Sequence, residues 1–269
     1  METGLARVQT SLRAALVARK ALLGTVITLP DVALAELSAS AVDFVWIDLE
    51  HGALGPADVQ PLAIAARAAG AAGLVRLAAP GRESIGAVLD AGVDGIVVPR
   101  VDSAAQAARA VEGLRHPPHG SRGFATRRGS DYGRASASGP RPVCMVQVES
   151  ARAVEDAEAI AAVDGVDALV IGCADLALAL GTDPDPSSDR FREAVTEVQR
   201  ATEAAGVASG IAGPDEPALL AELAGGRSTV LVLGADVRTY ARALDAALGQ
   251  LRGELALRAP EQEGSHVST

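Results

Sequence analysis

Val143-Cys144-Met145-Val146-Gln147-Val148-Glu149 and, one helix later, Ala168-Leu169-Val170-Ile171-Gly172-Cys173-Ala174-Asp175 share one layout: a short apolar run followed by a carboxylate. Runs of this length are strands, and being apolar without alternation they predict a parallel sheet buried on both faces. Six further runs read the same way: Thr25–Leu29, Phe44–Leu49, Leu74–Leu77, Gly95–Pro99, Ala208–Ile211 and Thr229–Leu233. Ala-rich helical stretches separate them. Eight such units in 269 residues predict a single α/β domain, a (β/α)8 TIM barrel, a fold that commonly takes ~250 residues. A doubly wound sheet is the rival, but no Gly-rich dinucleotide loop follows the first strand.

The flanks are read from the same pattern. From Leu5 to Leu23 the chain is Arg-rich and amphipathic, which also fits a transit peptide. The apolar positions Leu12, Leu16, Val17 and Leu23 keep helical spacing without a cleavage-like signal, so a helix capping the barrel floor is expected. The barrel domain is expected over 1–252, with a disordered tail over 253–269, where periodicity stops. His116–Pro142, rich in Gly, Pro, Ser and Arg, is longer than an ordinary connection; such loops serve as lids or binding loops, or are disordered.

Composition excludes several roles. A net charge of -10 and 2% aromatics leave no basic stripe or stacking platform for nucleic acid. No apolar run approaches the ~20 residues that cross a membrane, so a soluble, cytoplasmic protein is expected. Two cysteines, Cys144 and Cys173, give neither a disulfide framework nor a metal-ligand spacing, and Cys173 reads as a small buried residue. The one lysine, Lys20, lies upstream of the first strand. A Schiff-base route to a carbanion is therefore closed.

Barrel active sites lie at the carboxyl ends of the strands. Collecting polar residues there gives Asp48, Glu50 and His51, then Arg76, Gln147, Glu149 and Asp175. A carboxylate at the end of an apolar strand is costly unless something uses it. Glu149 and Asp175, on successive strands, suit a divalent cation that leaves its other positions to water and substrate oxygens. The competing reading is plain ion pairing with Arg152 or Arg122. Gly172-Cys173-Ala174-Asp175-Leu176 puts free backbone N–H groups at a helix start, suited to a carboxylate; a simple turn with Asp175 as N-cap is the alternative. Of four histidines, His51 alone follows a strand, and imidazole suits acid–base work, with Asp48, Glu50 or Asp90 to orient it. Arg76 either holds a keto oxygen at the mouth or pairs with a neighbouring strand-end acid.

The combination resembles the HpcH/HpaI family of divalent-metal-dependent class II pyruvate aldolases. The matching stretches are Phe44-Val45-Trp46-Ile47-Asp48-Leu49-Glu50-His51, Leu74-Val75-Arg76, Leu89-Asp90-Ala91-Gly92, Pro117-Pro118-His119-Gly120-Ser121-Arg122-Gly123, Gln147-Val148-Glu149 and Ile171-Gly172-Cys173-Ala174-Asp175-Leu176. They occur in the family's order across residues 12–250. The resemblance implies a homo-hexamer with the last helix exchanged between subunits. It also implies that Glu149 and Asp175 ligate Mg²⁺, Mn²⁺ or Co²⁺, and that Arg76 meets the keto or enolate oxygen. His51 becomes the base with Asp90 as its dyad partner. The backbone of Ala174 and Asp175 takes the pyruvate carboxylate, Gln147 sits beside the keto acid, and Asp48 and Glu50 line the same mouth.

The implied reaction is reversible cleavage of a 4-hydroxy-2-keto acid to pyruvate and an aldehyde through a metal-held enolate, with oxaloacetate decarboxylation as a side activity. The partners are then a small 2-keto acid and an aldehyde. The family also admits citrate-forming and decarboxylative condensation enzymes. A non-catalytic keto-acid-binding barrel fits least, because His51, Arg76, Glu149 and Asp175 all remain. The chain departs from the common pattern in Cys173 for Pro, Ala177 for Ser, Val26 where some members carry Trp, and a shorter stretch from Phe124 to Pro142.

Overall fold

Successive side chains of a strand point to opposite faces, and along β2 (Phe44–Asp48) both faces are apolar. Phe44 and Trp46 turn to one side, Val45 and Ile47 to the other. The computed structural model describes residues 12–79, 83–136, 141–182 and 188–257. It repeats this division on β3 (Ala72–Arg76), β5 (Val143–Val148) and β6 (Ala168–Gly172). Leu74, Val143, Met145, Ala168 and Val170 join the Phe44–Trp46 cluster inside the barrel. Val75, Cys144, Val146, Leu169 and Ile171 face the helices.

The remaining strands are β1 (Leu22–Ile27), β4 (Gly95–Val98), β7 (Ala208–Ala212) and β8 (Val230–Ala235). All pair in parallel and in chain order, and β8 returns to β1, closing the eight-stranded barrel. The helices between them are α2 (Val32–Ala39), α3 (Pro56–Ala68), α4 (Glu83–Asp90), α5 (Ala104–Leu114), α6 (Ala151–Glu155), α7 (Ala157–Ala161), α8 (Cys173–Ala179), α9 (Asp189–Ala205) and α10 (Pro217–Ala224). The β1–β2 contact needs Gly24: a Cβ there would lie 2.3 Å from the ring of its register partner Phe44. β1 begins at Leu22 rather than at Thr25, because Leu22–Gly24 pair with Val230–Val232.

The expected cap is present as α1 (residues 12–17), with two of its four marker residues corrected. Leu12 and Leu16 are buried against Phe44, Ala72, Val143, Ala168, Ala208 and Val230, the amino-terminal residues of their strands. Arg13 ties the cap down through Asp167 and the carbonyls of Arg141 and Pro142. Val17 and Leu23 are exposed instead, the latter because it belongs to β1.

The segment from His116 connects the end of α5 to the start of β5, so it lies at the amino-terminal end of the barrel. It is not a lid on this barrel's own mouth. Its cross-links fix it there: Arg122 bonds Asp90, and Arg128 bonds the carbonyls of Ala91 and Gly92. The last helix, α11 (Asp236–Leu257), continues past Arg252, and residues 258–269 lie outside the described ones. Its Tyr240, Leu244, Leu251 and Leu255 are exposed. Among the described residues no helix is long and apolar enough to cross a membrane.

At the mouth, the β1–β8 seam is fastened by one buried carboxylate. Asp236 accepts from Thr28 Oγ1 at 2.6 Å, from the backbone N–H of Thr28 at 2.9 Å and Leu29 at 3.2 Å, and from Val237 at 2.8 Å. Asp236→Ala strands these part-buried donors and should cost about 2–4 kcal/mol. Urea unfolding measures it, and a loss below ~1 kcal/mol would show that the seam closes without the clasp.

Candidate active site

Inward alternation carries polar residues to the top of the barrel. After Phe44 and Trp46 the next inward residue of β2 is Asp48, and β3 presents Arg76 in direct register with it. The two form a bidentate pair, Nε to Oδ1 at 2.9 Å and Nη2 to Oδ2 at 2.5 Å. Burial pushes the Asp48 carboxyl up, but the Arg76 bonds and charge outweigh it and hold the carboxyl below its ordinary value. For Arg76 burial works downward, and the acids Asp48, Glu50 and Glu149 reverse it and raise the pKa. Asp48 also accepts from the N–H groups of Glu50 and His51, shaping the turn that follows β2.

Glu50 is buried where three groups meet. Its Oε2 lies 3.6 Å from Arg76 Nη1 and 3.9 Å from His51 Nε2, and its Oε1 accepts from Arg100 Nη2 at 2.7 Å. The His51 imidazole is 60% exposed, open to a ligand in the mouth.

On the opposite wall, Gln147 and Glu149 follow Met145 on the inward side. Gln147 Nε2 donates to Glu149 Oε1 at 2.7 Å, while Gln147 Oε1 is buried without a hydrogen-bond partner among the described residues. Glu149 Oε2 accepts from the backbone N–H of Arg100 at 2.9 Å. The carboxylate lies against Gly172, where a Cβ would come within 2.5 Å of Oε1. Burial pushes the Glu149 carboxyl up to about 7; the Arg100 N–H opposes this, and the charges of Asp175 and Glu50 add to it.

Asp175 stands in the first turn of α8, beside Ala174, exposed and without a hydrogen bond or ion pair among the described residues. Arg122, a candidate partner for the two acids, is bonded to Asp90 instead. Among the described residues no group of three or more His, Cys, Asp or Glu forms a ready cage. Two hard oxygen donors, one of them buried and raised by neighbouring negative charge, nevertheless suit a divalent cation that keeps open positions.

Most of the expected site assembles: Asp48, Glu50, His51, Arg76, Gln147, Glu149, Ala174 and Asp175 all belong to the mouth. Asp90 does not. It ends α4 at the amino-terminal end of the barrel, paired with Arg122 at 3.3 Å, so the expected His51–Asp90 dyad does not form within one chain. Asp90 follows no strand, and the connectivity of α4 to β4 carries it away from the mouth. Sequence reading also missed Arg100. Its only signal is that Pro99-Arg100 directly follows β4; nothing in the sequence shows its left-handed backbone or its contacts to Glu149 and Glu50. Both cysteines are free and buried, and burial pushes each thiol up to about 12, so neither is a nucleophile.

A closed barrel with acids, an arginine and a histidine at its mouth has the layout of an enzyme active site. The HpcH/HpaI aldolase/citrate lyase family model matches residues 30–243. The chain is 36% identical over 254 residues to a hydroxypyruvate/pyruvate aldolase of Cupriavidus necator, covering 86% of this chain and 88% of that protein. It is 34% identical to a 4-hydroxy-2-oxovalerate aldolase of Rhodococcus jostii, covering 86% and 92%. A family structure from Burkholderia cenocepacia superposes with a TM-score of 0.85 at 32% identity, covering 90% of this chain and 99% of that one. The chain belongs to the HpcH/HpaI aldolase/citrate lyase family.

The position of Glu149 has a measurable consequence. The folded chain holds its proton more tightly than the unfolded chain, where the carboxyl titrates near 4.5. This contribution to stability is complete below about 4.5 and is lost as pH rises through about 7. Over that window the metal-free protein should lose about 3 kcal/mol. Glu149→Gln should remove the slope and be the more stable protein at pH 8. Urea midpoints in chelator, measured across pH for both, decide it; parallel curves would mean that Glu149 does not titrate there.

Proposed function

We propose that the protein is a divalent-metal-dependent aldolase that reversibly cleaves a 4-hydroxy-2-keto acid to pyruvate and an aldehyde. One observation carries this reading. The candidate oxyanion donor Arg76 and the candidate base His51 flank one buried acid, Glu50, across the mouth from Glu149. Glu149 and Asp175 would hold the metal, Mg²⁺, Mn²⁺ or Co²⁺. When bound, the cation supplies a Lewis acid beside the keto oxygen.

The chain's own residues then divide the work. The N–H groups of Ala174 and Asp175 open α8 and receive the substrate carboxylate, favoured there by the helix dipole. Gln147 lies beside the keto acid, offering a buried amide oxygen that has no partner among the described residues. Arg76 is fixed by Asp48 on two nitrogens, and Nη1, 3.6 Å from Glu50 Oε2, is the remaining donor for the keto oxygen. His51 takes the proton of the 4-hydroxyl. The C3–C4 bond breaks, its electron pair passing to C3 as pyruvate enolate, and the aldehyde departs. Enolate protonation completes the cycle, and oxaloacetate decarboxylation needs the same enolate.

The oligomer is part of the proposal. The exposed apolar residues of α11 support its exchange onto a neighbouring barrel within a homo-hexamer. Any Asp90 partner for His51 would then come from a second subunit. The two buried free thiols fit a reducing, cytoplasmic setting.

His51→Ala separates the steps. Retro-aldol cleavage should fall roughly 10²–10⁴-fold, the usual worth of a positioned base. Oxaloacetate decarboxylation, which has no hydroxyl proton to remove, should survive far better. Both rates are read on one metal-loaded preparation across pH. Equal collapse of the two would assign His51 to binding and reject it as the base.

A further inference from the structure

Arg100 is the cation at the mouth to which the proposed chemistry gives no task. Its backbone is left-handed, with φ of 52°, a conformation that costs a non-glycine residue roughly 1–2 kcal/mol. The N–H bond to Glu149 holds the backbone there but needs no side chain, and glycine would make it with less strain. The guanidinium therefore has to be explained separately.

That side chain lies outermost in a stack of charges. Arg76 is 12% exposed and engaged by Asp48 and Glu50, whereas Arg100 is 61% exposed. Its Nε and Nη2 converge on a single oxygen, Oε1 of Glu50, at 3.1 and 2.7 Å. Among the described residues Nη1 has no partner. Glu50 is almost fully covered, so one buried carboxylate oxygen pins the arginine and the other edge of its planar fork faces the open mouth. A ligand that carries negative charge into this acid-rich mouth meets Arg100 first.

We infer that Arg100 is a specificity-determining residue for the aldehyde half of the substrate, selecting aldehydes that bear a carboxylate near the carbonyl carbon. The inference rests on the aldolase reading and adds the acceptor class to it. In the condensation direction C3 of the pyruvate enolate bonds to the aldehyde carbon, and the aldehyde oxygen takes a proton to become the 4-hydroxyl. Arg100 binds the distal carboxylate through the edge that Glu50 leaves open, and it exchanges no proton in the step.

The test uses full-length metal-loaded protein with pyruvate, and glyoxylate or glycolaldehyde as acceptor. These acceptors differ in carrying a carboxylate or a hydroxymethyl group on the carbonyl carbon. Wild type should favour glyoxylate in kcat/KM, with a preference that shrinks as ionic strength rises. Arg100→Gln should lower the glyoxylate-to-glycolaldehyde ratio about tenfold, the worth of a partly exposed charge-assisted bond. Arg100→Glu should lower it further. An unchanged ratio in Arg100→Gln overturns the assignment. Should that variant not fold, a wild-type ratio at or below one that is flat in salt overturns it as well. Deuterium exchange at pyruvate C3 in the wild type separates the two levels: without exchange the aldolase reading fails, whereas exchange with an insensitive ratio removes only the role of Arg100.

Discussion

A carboxylate held out of water needs compensation, and the mouth of this barrel is arranged around one that is only partly compensated. Glu149 receives two hydrogen bonds, from Gln147 and from the Arg100 backbone, yet its carboxyl rises to about 7 with Asp175 and Glu50 adding negative potential. Asp48 shows the alternative outcome in the same layer. Similar burial, met by a bidentate arginine, leaves it below its ordinary value. One acid is thus committed as a fixed anion that orients Arg76. The other is buried and short of positive charge. That asymmetry between two strand-end carboxylates is what a cation site with open positions requires.

The barrel separates this tension from its own stability. Its amino-terminal end is closed by apolar contacts of Leu12 and Leu16 and by an Asp167 carboxylate shared between Arg13 and Arg141. At the carboxyl end the sheet is fastened by Asp236, a carboxylate whose oxygens are met by four donors. The Gly172 backbone permits the close approach of Glu149, so the layer above Met145 and Val170 can hold a carboxylate where a larger residue on β6 would exclude it.

The repeating pattern of β5 and β6 was legible to the residue, because parallel strands buried on both faces are apolar nearly throughout, with only Gln147 interrupting β5. Strand ends next to these runs gave seven mouth residues by collection alone, Asp48 to Asp175. Three things were not legible. Leu22 and Leu23 continue an Arg-rich helical spacing, and only their pairing with β8 reassigns them to a strand. Arg100 carries no periodic signal, since its importance comes from a backbone angle and from contacts to residues far away in sequence. Asp90 was expected to orient His51, and chain connectivity puts it at the other end of the barrel. A sequence pattern specifies which end of a strand a residue occupies, but not which of two helix ends a distant partner can reach.

The departures from the common family pattern fall where packing can absorb them. Cys173 opens α8 at a position where proline would fix the backbone without needing a hydrogen-bond partner. Here the turn is held by burial, with the thiol accepting from the backbone of Ala212 and no acidity of its own to contribute. Ala177, one turn on, is buried, so the hydroxyl that serine would bring is missing from the interior of the helix and not from its ligand-facing side. The N–H groups of Ala174 and Asp175 stay in the first turn in either case. Variation at Cys173 and Ala177 therefore changes how the helix start is fixed, while variation at Val26, which packs with the inward cluster of the barrel, changes the space there.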